Sequence, residues 1–279
     1  MENELHTDPR HQLEEKGFVV FADVLSAEML QRAQDTTATL IAAQSKEHFA
    51  ARRSTGSMIS VFADAFFADL VSWTPALAKL AALGIADPRF TSGYVIAKPP
   101  HSPPLFWHQD WGGWDDPGSY TEPTLQIFLM YYLVDTSPAN GCLRVLRGSH
   151  RRRHALHDAV PEAHAEEISK ATDPSHPAFR PVPEDEAVPV RAGDLVIGDS
   201  RLLHGAYANA SDEWRPVVTL WYHPFERYSD PLKAYMAQSM NGTVAWPAAA
   251  QAKIQKLIPT YAGSATPVQW NRTPGPDLK

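Results

Sequence analysis

Apolar positions along the chain change their spacing near Phe90. Before that point they favour helices. "GFVVFADVL" (Gly17–Leu25) reads as a short strand, after which Ser26 has the character of an N-cap. Glu28 falls in the first turn, where the positive end of a helix favours a carboxylate. Leu30, Ala33, Thr37, Leu40 and Ile41 then recur at helical spacing. A second helical region is expected over Phe62–Leu83, interrupted at Pro75. Residues 1–89 are therefore expected to be mostly helical.

Beyond Phe90 the pattern becomes that of strands. "FTSGYVIAK", "TLQIFLMYYLV", "CLRVL", "VPVRAGDLVIGD" and "RPVVTLWYHPF" are rich in β-branched and aromatic residues, with Gly, Pro, Asn and Asp between them. "SPANGCL" (Ser137–Leu143) reads as a turn, with Asn140-Gly141 supplying positive φ. Strands without intervening helices argue for an antiparallel barrel or sandwich over residues 90–228. Gly148–Val188 interrupts them with a polar, proline-rich stretch whose middle, Pro161–Lys170, is expected to form a short helix. A connection of that length suggests a lid or mobile insertion. Residues 229–279 form an extension with helices expected over Pro231–Met240 and Ala248–Leu257, then a Pro/Gly-rich tail.

Composition narrows the function. With 279 residues, 44% hydrophobic and 20% charged, the chain suits one globular domain. A net charge of −7 and the lack of a basic stripe argue against nucleic acid as partner. Arg151–Arg153 is read as a solvated turn. Cys142 is the single cysteine, which excludes intrachain disulfides and cysteine-based zinc sites. "MENELHTDPRHQLEEKG" has no apolar signal core, and no run of about 18 apolar residues occurs. A cytoplasmic protein acting on a small molecule, away from membranes, is expected; oligomeric state has no signature in the sequence.

The chemistry concentrates in "FWHQDWGGWDD" (Phe106–Asp116). Side chains alternate along a strand, so His108 and Asp110 share a face. Two ligands cover one edge of a metal, and His204, after the Gly193-Asp194 turn and an apolar run, is the best third. Two histidines and a carboxylate form the facial triad of non-haem Fe(II) oxygenases, with open positions for co-substrate and O2. Arg215 follows His204 by eleven residues, where a returning strand would bring its guanidinium alongside to grip a carboxylate. The competing reading is a hydrogen-bonded polar trio.

Four segments in order carry a resemblance: "KGFVVFADVLSAEML", "KPPHSPPLFWHQD", "ANGCLRVLRGSH" and "GDLVIGDSRLLHGAYANASDEWRP". Over roughly residues 15–224 the chain resembles the phytanoyl-CoA dioxygenase-like Fe(II)/2-oxoglutarate oxygenases. The resemblance implies a double-stranded β-helix, a jelly-roll barrel buttressed by helices. It implies His108, Asp110 and His204 as iron ligands, and Arg215 as the clamp on the distal carboxylate of 2-oxoglutarate. It further implies O2 as oxidant, release of succinate and CO2, and hydroxylation of an unactivated C–H as the default outcome. Desaturation, cyclisation and epimerisation use the same kind of iron site. A non-catalytic jelly-roll binding protein, and a cupin-like metalloenzyme using no 2-oxoglutarate, are the readings from other classes.

The chain departs from the family where a serine often stands two residues after the second iron-binding histidine: here it is Ala206. Either a further donor comes from elsewhere or the clamp is plainer; Gln126, on the strand after the metal loop, is expected as a polar contact to the co-substrate. Lys98, in "AKPP", sits where the family often has this turn, and its reach to the site is left open. Trp107 is expected to pack in the barrel. Trp111 and Trp114 either line the substrate mouth or simply pack. If Gln126 faces inward, so do Phe128, Met130 and Tyr132.

Overall fold

The computed structural model describes residues 8–160, 168, 175–239 and 245–279. Among these, strands form two antiparallel sheets. The larger has the order β1 (Phe18–Phe21), β8 (Leu195–Asp199), β5 (Ile127–Tyr132), β10 (Arg215–Pro224), β3 (Pro88–Lys98) and β2 (Ile59–Ser60). The smaller has the order β4 (Leu105–His108), β9 (His204–Ala206), β6 (Leu143–Val145) and β7 (Glu186–Val188). The architecture is a jelly roll. Among the described residues its two sheets are not hydrogen-bonded into a closed barrel.

Alternation along the central strands creates two cores. Ile127, Leu129 and Tyr131 of β5, with Val218, Leu220 and Tyr222 of β10, pack under the helical layer. Phe128, Met130 and Tyr132, with Val217, face the smaller sheet and pack with Leu143 and Val145 of β6. The helical layer includes α1 (Pro9–Lys16), α2 (Ala27–Ala42), α3 (Lys46–Ala50), α4 (Phe67–Val71) and α5 (Thr74–Ala82). Ser26 caps α2, accepting a hydrogen bond from the Met29 N–H at 3.2 Å. Pro75 does not interrupt a helix: α4 has already ended, and Pro75 sits in the first turn of α5, where no N–H is needed.

The stretch 148–188 contains α6 (Ala155–Ala159) and a 3-10 turn at Pro177–Phe179. Its last residues are β7, paired with β6, so the strand core resumes earlier than the sequence pattern suggested. The expected helix Pro161–Lys170 lies outside the described residues apart from Ile168. The extension carries α7 (Asp230–Ser239) and α8 (Ala248–Ile254). Its final segment lies along the loop after β4. The Asn271 N–H donates to the Gly112 carbonyl at 2.7 Å, and the Gln109 amide to the Arg272 carbonyl at 2.8 Å. Gly112 is required there, because a Cβ would come within 2.1 Å of the Trp270 indole.

Candidate metal centre and its two pockets

β4 and β9 are neighbours, and His108 and His204 lie directly opposite one another in their register. Their ring centroids are 4.1 Å apart. Beyond β4 the chain is drawn to the β8–β9 connection, where the N–H groups of Asp110 and Trp111 both donate to the Ser200 carbonyl, at 2.8 and 2.9 Å. That turns the Asp110 carboxylate towards the histidines. One ligand atom from each of the three residues lies within 4.8 Å of the others, and all three residues are buried.

The distances separate the two readings of this trio. Asp110 oxygens lie 3.6 Å from His108 Nε2 and 3.8 Å from His204 Nε2. Hydrogen bonds would bring them to about 2.7–3.2 Å, so the groups surround a point rather than bond to each other. Each imidazole is aimed by its other nitrogen. His108 Nδ1 meets the Phe106 carbonyl and His204 Nδ1 the Leu202 carbonyl, both at 3.0 Å. A carbonyl can only accept, so each Nδ1 carries the proton and each Nε2 presents its lone pair to the centre. Trp221 Nε1 donates to Asp110 Oδ2 at 2.8 Å and fixes the carboxylate plane. Two imidazole nitrogens and one carboxylate suit a non-haem Fe(II) ion with open positions.

On one side of the trio a narrow inner pocket runs between the sheets, lined in part by Met130, Tyr132, Ala206, Thr219 and Arg215. Arg215 opens β10 and is 3% exposed. Among the described residues no carboxylate pairs with it, and its Nε has no hydrogen-bond partner. Burial lowers its pKa, with Tyr132 and Cys142 opposing. A buried guanidinium without a partner is a site waiting for an anion. Ala206 brings no hydroxyl, as its sequence implied. Thr219, four residues from Arg215 on the same face of β10, brings a buried hydroxyl with no partner. Sequence reasoning missed it, although the alternation Arg215, Val217, Thr219, Trp221 carries the signal.

On the other side lies a cavity of about 500 Å3, reached by His108, Asp110, Trp221, His223 and Gln126. Gln126 therefore does not join Arg215. It sits just before β5, whose Ile127 is level with Tyr222, whereas Arg215 lies beyond Val217 at the far end of β10. Eight residues of strand, roughly 25 Å, separate the Gln126 end from Arg215. Gln126 lines the outer cavity instead, and its Oε1 is buried without a partner. His223 is held by the Thr91 hydroxyl at 2.8 Å and the Tyr228 hydroxyl at 2.5 Å, and burial pushes its pKa down to about 3.

Other singled-out residues are structural. Lys98 Nζ donates to the carbonyls of Ser54 and Pro103 and lines neither pocket. Burial, then Arg215 and Arg144, lower its pKa well below the usual lysine range. Trp107 packs outside the smaller sheet beneath Phe179, with the Arg144 guanidinium 4.3 Å from its ring. Trp111 and Trp114 pack with Tyr228, Leu232, Met236 and Leu278, which docks the extension on the metal loop. Arg201 was not foreseen. It pairs with Asp199 at 2.8 Å and donates to the carbonyls of Ser119, Thr121 and Pro123, clamping the loop after the motif. Burial alone would raise the Asp199 pKa, but Arg201 and His150 hold it below the ordinary carboxylate value.

No described residue of 148–188 lines either pocket. Residues 161–167 and 169–174, on which the lid expectation falls, lie outside the described residues. The described wall of the outer cavity includes Tyr235, Met236, Trp270 and Arg272 of the extension.

The family model described as phytanoyl-CoA dioxygenase matches residues 13–217. No curated protein sequence matches the chain. Solved structures share the fold at low identity. The carbocyclase SnoK from nogalamycin biosynthesis, described as non-haem and α-ketoglutarate-dependent, is 22% identical, with a TM-score of 0.57 over 79% of this chain and 84% of its own. The epimerase SnoN, in complex with Fe3+, α-ketoglutarate and nogalamycin RO, is 21% identical, with a TM-score of 0.57 over 77% and 82%. HygX from Streptomyces hygroscopicus, with nickel and 2-oxoglutarate bound, is 19% identical, with a TM-score of 0.60 over 80% and 88%.

Proposed function

The chain belongs to the phytanoyl-CoA dioxygenase family of Fe(II)/2-oxoglutarate-dependent oxygenases, and from that premise we propose that it hydroxylates an unactivated C–H of a small molecule, with release of succinate and CO2. The observation that carries this reading is the pairing of a two-histidine, one-carboxylate centre with a buried, unpartnered guanidinium along one narrow pocket.

In this reading His108, Asp110 and His204 hold Fe(II), which supplies the O2 activation that couples 2-oxoglutarate decarboxylation to C–H oxidation. Arg215 receives the distal carboxylate of 2-oxoglutarate, and the Thr219 hydroxyl shares that load where Ala206 cannot. Trp221 keeps Asp110 oriented. The apolar side chains of Met130, Tyr132 and Val217 exclude water from the inner pocket, which strengthens the Arg215–carboxylate attraction. The substrate occupies the outer cavity, with its reacting carbon towards the trio.

Anaerobic addition of Fe(II) and then 2-oxoglutarate is expected to produce a metal-to-ligand charge-transfer band. Under O2, a screen of small metabolites is expected to find ones that stimulate succinate release. Metal binding without that band would favour a metalloprotein that uses no 2-oxoglutarate. The relatives above include an epimerase and a carbocyclase, so the product's mass is the discriminating measurement. Gain of one oxygen atom supports hydroxylation. Loss of two hydrogens indicates desaturation or ring closure, and unchanged mass indicates epimerisation.

A further inference from the structure

The outer cavity has a polarity of its own. Tyr94, Phe106, Trp221, Tyr235 and Trp270 contribute aromatic surface to its lining. Tyr235 and Trp270 are stacked, with centroids 4.9 Å apart and planes 6° from parallel. Trp270 in turn lies edge-on to Trp111 at 5.9 Å and close over Gly112, so this wall is fixed to the metal loop. At about 500 Å3 the cavity falls in the usual size range of small-molecule sites.

One charge stands on that wall. Arg272 is half-buried; among the described residues its guanidinium has no carboxylate partner, and its Nε is buried without a hydrogen bond. Its backbone is held by the Gln109 amide, so it is placed by the same loop that carries Asp110. Among the described residues lining the cavity Arg272 is the only Arg or Lys. His223 adds no charge near neutral pH, because burial keeps it neutral between Thr91 and Tyr228. Gln126 lines the same cavity, and its Oε1 is buried without a partner.

We propose that the substrate is a monoanionic carboxylic acid with an apolar or planar body, whose carboxylate is received by Arg272 and whose body lies on the Tyr235–Trp270 wall. A hydroxyl on that body meets the Gln126 amide. A single guanidinium matches one carboxylate, whereas the several phosphates of a coenzyme A thioester would call for more cations than the lining offers. Tyr235, Met236, Trp270 and Arg272 all lie outside residues 13–217, the part matching the family model. Selection of the substrate thus belongs to the C-terminal extension rather than to the shared core. The proposal rests on reading the trio and Arg215 as an oxygenase site.

The test uses 3-phenylpropionate and 3-(4-hydroxyphenyl)propionate, each beside its primary amide. Binding to full-length protein loaded anaerobically with Fe(II) and 2-oxoglutarate is followed by calorimetry. The hydroxylated acid is expected to bind at least about tenfold more tightly than its amide, the loss typical of a charge-assisted hydrogen bond. Arg272→Gln should abolish that difference and Arg272→Lys should restore part of it. Equal binding of acid and amide, no binding by either acid, or an acid preference that survives in Arg272→Gln would each overturn the proposal. The charge-transfer band, recorded on the same wild-type sample, separates the two levels. A band present with no acid bound overturns the substrate class alone. A missing band overturns the oxygenase reading, while an acid preference that depends on Arg272 would still stand.

Discussion

Replacing Arg215 by Met should make the ligand-free protein more stable and its 2-oxoglutarate complex weaker. In the free protein the guanidinium is buried, unpaired among the described residues, and close enough to Lys98 to share, with Arg144, in lowering that lysine's pKa. An unsatisfied buried polar group costs about 1–3 kcal/mol, and methionine keeps most of the stem's packing without the charge. Stability of the metal-free protein should therefore rise by on the order of 1 kcal/mol, a Tm increase of about 2–4 °C. With 2-oxoglutarate bound the sign reverses. Losing a charge-assisted grip on the distal carboxylate costs about 1.5–3 kcal/mol, or tenfold to a hundredfold in Kd. Arg215→Lys should recover only part, because an ammonium lacks the guanidinium fork. Scanning calorimetry on the apo proteins gives the first quantity. Anaerobic titration of Fe(II)-loaded protein, followed by the charge-transfer band, gives the second. Unchanged 2-oxoglutarate affinity in Arg215→Met would refute the assignment. A large loss of apo stability would show that Arg215 has a structural partner.

Three further outcomes follow from the same geometry. His223 and His157 are held neutral by burial, with pKa values pushed down to about 3 and about 4; unfolded, both titrate near 6.5, so their contribution is intact above that pH and falls by about 1.4 kcal/mol per pH unit for each as pH drops below it. Urea unfolding at pH 7.5 and 5.0 should differ by on the order of 3–4 kcal/mol, and equal midpoints would contradict the burial argument. Trp221→Phe removes the hydrogen bond that orients Asp110 and should weaken metal binding about tenfold or more in a chelator competition; an unchanged affinity would mean that Asp110 is set by its backbone alone. Gly112→Ala places a methyl against the Trp270 indole and should cost about 1–3 kcal/mol while exposing the C-terminal segment to protease; a variant as stable and as protease-resistant as wild type would show that the tail is not fixed there.

The sequence displayed the interior better than the surroundings. Period-two alternation predicted that Phe128, Met130 and Tyr132 share one face of β5, and they do, towards the smaller sheet. The helix start at Ser26 was equally legible, because a cap is a local event. His108 and Asp110 share a motif, and His204 follows a recognisable turn and strand, so all three could be named before their distances were known. The separation of Gln126 from Arg215 was not legible, because it is a matter of height along the strand rather than of face. Height depends on the pairing of β5 with β10, which no local pattern states. The tryptophans were ambiguous for a related reason. Whether Trp111 and Trp114 meet solvent, ligand or protein depends on where residues 229–279 fold back, more than a hundred positions later.

β10 ties the two pockets together. Arg215, Val217, Thr219 and Trp221 leave the strand on one face, lining the inner pocket, while Val218, Leu220 and Tyr222 leave it on the other to pack under the helices. One strand thus supplies the proposed anchor for the co-substrate, a second donor beside it, and the group that orients the carboxylate of the metal centre. Near its end the pairing with β3 shifts, and the residue skipped in that register is Thr91, whose hydroxyl holds His223 at the outer cavity. A slip of one residue in β10 would send Arg215, Thr219 and Trp221 into the helical layer together, burying a charge in an apolar core and emptying the site. The apolar face of β10 therefore does more than stabilise the sheet. By fixing the register it sets the spacing of Arg215, the trio and the outer cavity, so the packing under the helices and the arrangement between the sheets are consequences of the same alternation.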